Sequence, residues 1–513
     1  MKAIFKYTLM SVLGLGMFTA CSQDRLETSP STAVATEQMT ASTGSAIAAI
    51  DGMYRLYYIY GYTTGWQTEE FGINAINLAA DLMGEDHIQA KSGSGWFYYD
   101  YLYQVKGDYT NTAGRPYGVW NFFYTLIANA NYVIAAENTM EGSTSDMQYV
   151  VGQAYAMRAY SYFMLAQWYA RTLVGHENEP CVPIYTEPTD KNTEGKPRET
   201  VATVYKQIDS DIAKAEQLLS ATEHDRNSRS HITACVAYGI HARIALVEEK
   251  WADAKKYAEL AIAAANAEGI TISSVGDFKG CNQADAPNVM WGMKIIADQT
   301  TGYAGFYTHM DADQGTYGAR APQQITRSLY DNMGENDARR IWWDPNHANN
   351  GANGYQQEKF KFLNMTTWEG DYIQMRIEEM YLTLAEAECM LGNDAAAQEV
   401  LNEYMSYRDP DYNCTKTGKS LGATTNEFTG SLREEILVQR RIELWGEYGR
   451  VYDIRRTHQG FIRTQEDGHP AAGVRYTQGC EDPENYKWVM VIPQAEFDGN
   501  VNMDSSKDQN PFD

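Results

Sequence analysis

Chemistry-bearing motifs are scarce in this sequence. None of its seven cysteines is spaced as CxxC, so there is no zinc or dithiol redox motif. There is no HExxH, no catalytic GxSxG and no P-loop, which removes the usual signatures of zinc proteases, serine hydrolases and nucleotide-binding loops. The nine histidines are scattered. Acidic pairs such as Glu69/Glu70, Glu378/Glu379 and Glu434/Glu435 are sequence neighbours. Consecutive helical residues point about 100° apart, so such pairs suit solvated faces better than general acid–base work. Asp311-Ala312-Asp313 offers too few oxygens for a cation. Basic charge is short as well. Lys and Arg number 42 against 67 Asp and Glu, a net charge of −25, which makes a poor binder of nucleic acid or anionic membrane. The residues therefore imply no catalytic group, metal or cofactor.

What is present begins with an address. Lys2 and Lys6 precede a short apolar run from Leu9 to Phe18, then the small residues Thr19 and Ala20, then Cys21. The run is too short for a membrane span and reads as a signal peptide over residues 1–20. A cysteine at that place resembles the lipobox of bacterial lipoproteins, with Cys21 as the lipidated residue and Phe18 where Leu is usual. Residues 21–40 then form a polar tether. Removal of Lys2 and Lys6 with the signal takes the charge from −25 to −27.

The rest, residues 41–513, is read as one mainly α-helical domain. Apolar residues at steps of three and four predict helices near 41–58, 68–83, 120–138, 147–171 and 201–219, with Thr200 as N-cap of the last. Residues 231–266 and 371–407 each form a helical hairpin. Their small/large alternation (A-x-A-x-x-A, then W-x-x-A-x-x-Y-A) is that of a tetratricopeptide-type pair. With the pair at 120–171 this predicts a tetratricopeptide-like superstructure. Residues 269–370 differ: they are glycine- and aromatic-rich, with a short strand expected at Asn288–Ile296. A second strand-like run is YKWVMVIP at 486–493. Cys235 and Cys389 fall in helical patterns as packed thiols, and pairing among the other cysteines stays open.

The stretch Ser431–Arg456, SLREEILVQRRIELWGEYGRVYDIRR, reads as one helix with a broad apolar face threaded by charge. Three-residue spacing lets Arg440 reach Glu443 and Glu447 reach Arg450, so these four are expected to pair internally and hold the core.

Six segments occur in an order that resembles the SusD/RagB family of outer-membrane glycan-binding lipoproteins: WNFFYTLIANANYVI (120–134), QAYAMRAYSYFMLAQWY (153–169), residues 234–262, residues 371–402, the stretch 431–456, and VIPQAEFDGNVNMDSSKDQNPFD (491–513). Tyr448 stands where the family usually has Gly, and His176–Pro180 looks like a small insertion. The resemblance implies a lipid-anchored protein on the outer membrane, facing the cell exterior. It would sit over a SusC-like TonB-dependent transporter, touch the membrane only through its lipid, and hand oligosaccharide to the barrel without cutting it. A RagB-like, peptide-binding role is the alternative.

Sugar recognition needs flat aromatic faces and polar groups for hydroxyls. Residues 54–124 hold 19 of the 63 aromatics, where even spreading gives about 9. Loops from this region and from 290–343 are where the resemblance places the ligand. The candidates are Trp66, Trp96, Tyr98, Tyr99, Tyr101, Tyr303, Tyr307 and Trp342, with Tyr99, Tyr101 and Tyr103 read as one face of a strand. Polar candidates are Asn77, Asp81, Asp100, Asp311 and Arg320. Trp120, Trp168, Trp251, Trp291 and Trp445, all in regular patterns, are expected in the core.

Overall fold

The computed structural model describes residues 39–61, 68–104, 110–312, 315–347 and 354–512. The chain is mainly helical. Helix α1 (Thr43–Leu56) and α2 (Ile73–Leu82) are followed by strand β1 (His87–Gln89) and the single-turn α3 (Tyr98–Tyr101). The long helices α4 (Gly114–Ala135), α5 (Thr144–Tyr169) and α6 (Val201–Ala221) come next. The hairpin α7 (Ala234–Val247) and α8 (Trp251–Ala267) completes this half.

Local sequence explains these starts. Ser143 accepts a hydrogen bond from Asp146 N at the head of α5, and Thr200 accepts one from Thr203 N at the head of α6. Helices α5 and α6 lie close: a Cβ at Gly152 would sit 2.7 Å from the Leu219 side chain. Ala258, Ala261 and Ala265 line the inner face of α8 with no exposure, which lets it approach α7 and the later helices.

After α8 come β2 (Val289–Met293), the short helices α9 (Phe306–Met310) and α10 (Tyr317–Arg320), β3 (Gln323–Ile325), β4 (Trp343–Asp344) and β5 (Gln356–Gln357). Then follow β6 (Tyr372–Arg376), α11 (Ile377–Met390), α12 (Asp394–Met405), α13 (Leu432–Glu443) and α14 (Arg450–Arg456). The expected strand near 288–296 is β2, antiparallel to β6 with irregular register around Trp291. A four-stranded antiparallel sheet runs β1-β3-β5-β4. Helix α4 packs on α5, α5 on α6, α8 on α7 and α11, and α11 on α12 and α13. The five tryptophans expected in the core are buried, except Trp251, which is half-buried against a satellite cluster. All six cysteines of the described residues are buried free thiols.

Three local expectations fail. The YKWVMVIP run is not a strand: Tyr486–Trp488 is a 3-10 turn, and Met490 N then bonds Trp168 O at the end of α5. The stretch 431–456 is two helices. Gly446 and Gly449, at φ 76° and 109°, turn the chain between α13 and α14. A side chain at Gly446 would also meet the Phe360 ring at 2.5 Å. The break overturns the internal pairing as well. Arg440 binds Asp453 (2.8 Å) and Glu379 (3.3 Å), while Arg450 binds Glu85 and Asp86, both at 2.9 Å. Glu443 receives Arg376 at 2.8 Å and Arg408 at 2.9 Å, and Glu447 receives Arg376 at 2.6 Å and Lys359 at 2.5 Å. The four residues do join the core by ion pairs, but with other elements. Tyr448 fills its place as a buried ring under the Arg243 guanidinium, 4.3 Å from its centroid.

Candidate ligand-binding loops

The β1–β3 pairing, His87↔Ile325 to Gln89↔Gln323, joins the two aromatic-rich regions of the sequence. The contact continues past the strands. Ala90 N bonds Pro322 O, and Gly93, at φ 52°, leaves no room for a Cβ beside Ala321, 2.8 Å away. Trp96, half-buried, meets Tyr317 edge-on at 6.4 Å.

Helix α9 is the hub beneath. His309 stacks on Tyr317 (5.1 Å) and Phe71 (5.5 Å), with Phe97 edge-on at 5.0 Å. Its Nε2–H donates to Thr68 O at 2.8 Å. Burial lowers the imidazole to about 3, so it is a neutral ring in this stack. Arg115 lies over Phe97 and grips Asp100 through two bonds of 2.9 and 3.0 Å. Phe97 and Tyr103 bracket α3 in the left-handed region, at φ 59° and 51°. Two strained non-glycine residues in one short loop mark a conformation imposed by its surroundings.

Each sequence candidate has a place. Tyr99 is 40% exposed and Tyr303 57% exposed. Tyr98 is half-buried and stacks on Tyr101 at 6.1 Å. Tyr101 is fully buried, with its hydroxyl 2.8 Å from His469 Nδ1, and Tyr103 is buried, donating to Met83 O. The strand face of Tyr99, Tyr101 and Tyr103 is therefore corrected to a helical turn, which sends the three rings in different directions. Tyr307 is a second correction: it is buried, donating to the Cys281 and Asp371 carbonyls. Trp342 is a third, buried 4.7 Å from Lys359 Nζ. Trp66 and Cys21 lie outside the described residues.

The polar candidates mostly face inward. Asp81 accepts from His87 Nδ1, Gly446 N and Arg450 N, Asp100 is taken by Arg115, and Asp311 accepts from Phe362 N. Asn77 is buried. Arg320 is exposed and makes no ion pair among the described residues. The surface that remains is Trp96, Tyr98, Tyr99, Tyr317 and Arg320, with Tyr303 preceding α9.

The sequence reading passed over Trp368. It is half-buried at φ 60° on a turn closed by Asn364 and Glu369, edge-on to Phe362 at 5.7 Å. Phe362 in turn packs on Tyr307. A tryptophan within the polar run NMTTWEG was the available signal. The adjacent acids are engaged by partners, and the expectation of solvated faces fails for Glu70, Glu378 and Glu379, which are buried: Glu69 accepts from Phe97 N, Glu378 is held by Arg408 and Asn288, Glu379 by Arg243, Glu435 by Lys416 and Tyr412, and Glu434 by the Thr429 and Gly430 amides. Among the described residues, no group of three or more His, Cys, Asp or Glu could hold a metal ion.

Two family models match the sequence. One, described as "Starch-binding associating with outer membrane", matches residues 80–246, and the other, the SusD family, matches residues 297–512. The chain belongs to the SusD/RagB family.

Solved SusD-like structures share the fold. A SusD-like carbohydrate binding protein from Bacteroides vulgatus has 24% identity and a TM-score of 0.76, covering 90% of this chain and 97% of that one. A SusD superfamily protein from Bacteroides thetaiotaomicron has 22% identity and a TM-score of 0.72, covering 92% and 100%. One from Bacteroides fragilis has 19% identity and a TM-score of 0.70, covering 91% and 100%. No curated protein matches the chain. In this SusD/RagB protein the six tell-tale segments build α4, α5, α7, α8, β6 and α11–α14, with a tail bound to α5 through Asn510 Nδ2 and Tyr169 O. They are scaffold, while the candidate rings left at the surface lie outside them, in residues 96–99 and 303–317.

Proposed function

We propose that this protein binds oligosaccharide at the cell surface and delivers it to a SusC-like TonB-dependent transporter, without catalysis. The observation that carries the reading is the loop face: β1–β3 pairing sets half-buried Trp96 edge-on to Tyr317, Tyr317 stacks on the neutral His309, and half-buried Tyr98 and exposed Tyr99 follow Trp96 in the same loop. Rings held from behind offer stacking surfaces at little ordering cost. The carbohydrate-binding description of the B. vulgatus relative supports the same reading. Lipidation at Cys21 supplies the anchor. Among the described residues no helix is long and apolar enough to cross a membrane.

Isothermal titration against a glycan panel tests the reading. One glycan should bind, Tyr99→Ala should weaken it by about tenfold, roughly one aromatic stacking contact, and no reducing ends should be released. Binding of mixed oligopeptides with silence on every glycan would move the protein to the peptide-binding branch.

A further inference from the structure

A second recess lies outside the loop face, along helix α4. The helix buries Phe122, Phe123, Leu126, Ala130 and Val133. Another edge carries Tyr117, Trp120, Asn121, Tyr124 and Asn131, at steps of three and four. This edge is one wall of a cleft of about 400 Å³, whose other walls are the coil around Tyr185–Gly195 and residues Ala495–Asn500. A second hollow of about 320 Å³, between Asn111–Gly114 and Pro493–Ala495, shares Tyr117 and Ala495 with it. The two hollows adjoin at these shared residues, a trough in two parts, and each alone is of the size that takes a small ligand.

The walls are fixed in advance. Asn131 Nδ2 donates to the Tyr185 and Glu187 carbonyls, Tyr132 Oη to Thr189 O, Asn500 Nδ2 to Lys196 O and Asn502 Nδ2 to Gly195 O. A Cβ at Gly195 would strike Asn500 Oδ1 at 2.2 Å, so coil and tail are in close contact. An irregular coil held by five side-chain bonds keeps the trough open without ordering on binding.

The lining chemistry is specific. Tyr117 is half-buried, and its hydroxyl has no partner among the described residues. Tyr185 is half-buried with Tyr124 edge-on at 6.0 Å. Its oxygen accepts from Lys196 N, leaving its own proton available. Glu496 is fixed by Trp120 Nε1 (3.2 Å) and Asn500 Nδ2 (2.7 Å) and keeps acceptor capacity on both oxygens. Asp190 and Glu496 line the cleft, Lys196 Nζ lies over the Tyr185 ring at 5.4 Å, and the neighbouring Arg158 is already paired with Asp211. Rings for C–H faces, free hydroxyls for hydrogen bonds and an acidic wall select an uncharged polyhydroxy ligand and repel an anionic one.

We infer that this trough is a second carbohydrate site, taking a neutral oligosaccharide alongside the loop face; the inference rests on the glycan-binding reading above. The test uses the full chain with neutral gluco-, manno- and xylo-hexaoses, and trigalacturonate as the anionic comparison. Amide exchange resolves the location, and titration the affinity. A bound hexaose should slow exchange in 114–131 and 185–196. Tyr117→Ala, which removes no hydrogen bond, and Ala495→Trp, which fills the exposed waist of the trough, should each abolish that slowing with about a tenfold loss of affinity there. Protection of 94–101 should survive both variants. Protection at 94–101 alone, unchanged by either variant, overturns the trough and leaves the proposed function standing. Protection in the trough alone supports the trough and overturns the loop assignment. Stronger protection by trigalacturonate overturns the neutral class, and no protection by any hexaose at either place overturns both readings.

Discussion

Glu443→Gln should destabilise this protein by about 3–5 kcal/mol, the cost of leaving buried charge unpaired. Glu443 has no exposure and lies among three guanidiniums: Arg376 at 2.8 Å, Arg408 at 2.9 Å and Arg339 at 3.5 Å. The set closes on itself. Arg376, Arg408, Arg339 and Lys359 are matched by Glu443, Glu447, Glu378 and Asp337, so the network is neutral. Burial works against ionisation of Glu443, but Arg408 and Arg376 overcome it and hold the carboxyl well below its usual range. Its contribution is therefore complete above the ordinary carboxylate value and is lost as pH falls through the depressed one. The amide keeps shape and removes the charge, leaving one buried cation unmatched. With a urea slope of about 3 kcal/mol/M, the midpoint should fall by about 1 M or more. Asp285→Asn, which breaks the exposed pair with Lys294, is the control and should cost less than about 0.5 kcal/mol. A Glu443→Gln midpoint within about 0.3 M of the parent would refute the argument, because it would mean that the guanidiniums do not need this carboxylate.

Three further outcomes are expected. Arg450→Ala should lower the melting temperature while glycan affinity in the folded protein stays nearly unchanged: burial would raise Glu85, yet Arg450 and Arg441 hold it at about 2, and the variant removes one of the two. Loss of binding at unchanged stability would instead move α14 into the site. Stability should fall with acid between pH 6.5 and 5, because His309, lowered by burial to about 3, stays neutral in the fold but takes a proton when unfolded. His309→Gln, measured by urea unfolding across that window, should flatten the slope by up to about 1.4 kcal/mol per pH unit; parallel curves would show that the ring is already solvated. Cys21→Ser should abolish palmitate labelling and release the protein from the outer-membrane fraction, and unchanged labelling would refute the lipobox.

Helices were legible because their information is local. Thr200 caps α6 where the sequence placed it, and the periodicities near 251–266 and 147–171 appear as α8 and α5 with ends shifted by a few residues at most. Apolar spacing and a capping oxygen act within one or two turns, so no distant residue is needed to read them. Strands were less legible: the expected run at 288–296 does form β2, but a second one did not. The run 486–493 has strand composition but bonds to a helix end, since a strand exists only where a partner edge is available. Ion-pair partners depended on tertiary structure too: two glycines turn the chain after Glu443, and Arg440 finds Asp453 where three-residue spacing predicted Glu443. The aromatic richness of the loops was plain in sequence, but exposure was not. Tyr99 and Tyr101 are two residues apart in the same short helix, one 40% exposed and one fully buried. The sequence by itself determined the helices and the family that they mark. Only the tertiary structure decided which rings face a ligand, because a ring's exposure depends on what the rest of the chain lays over it.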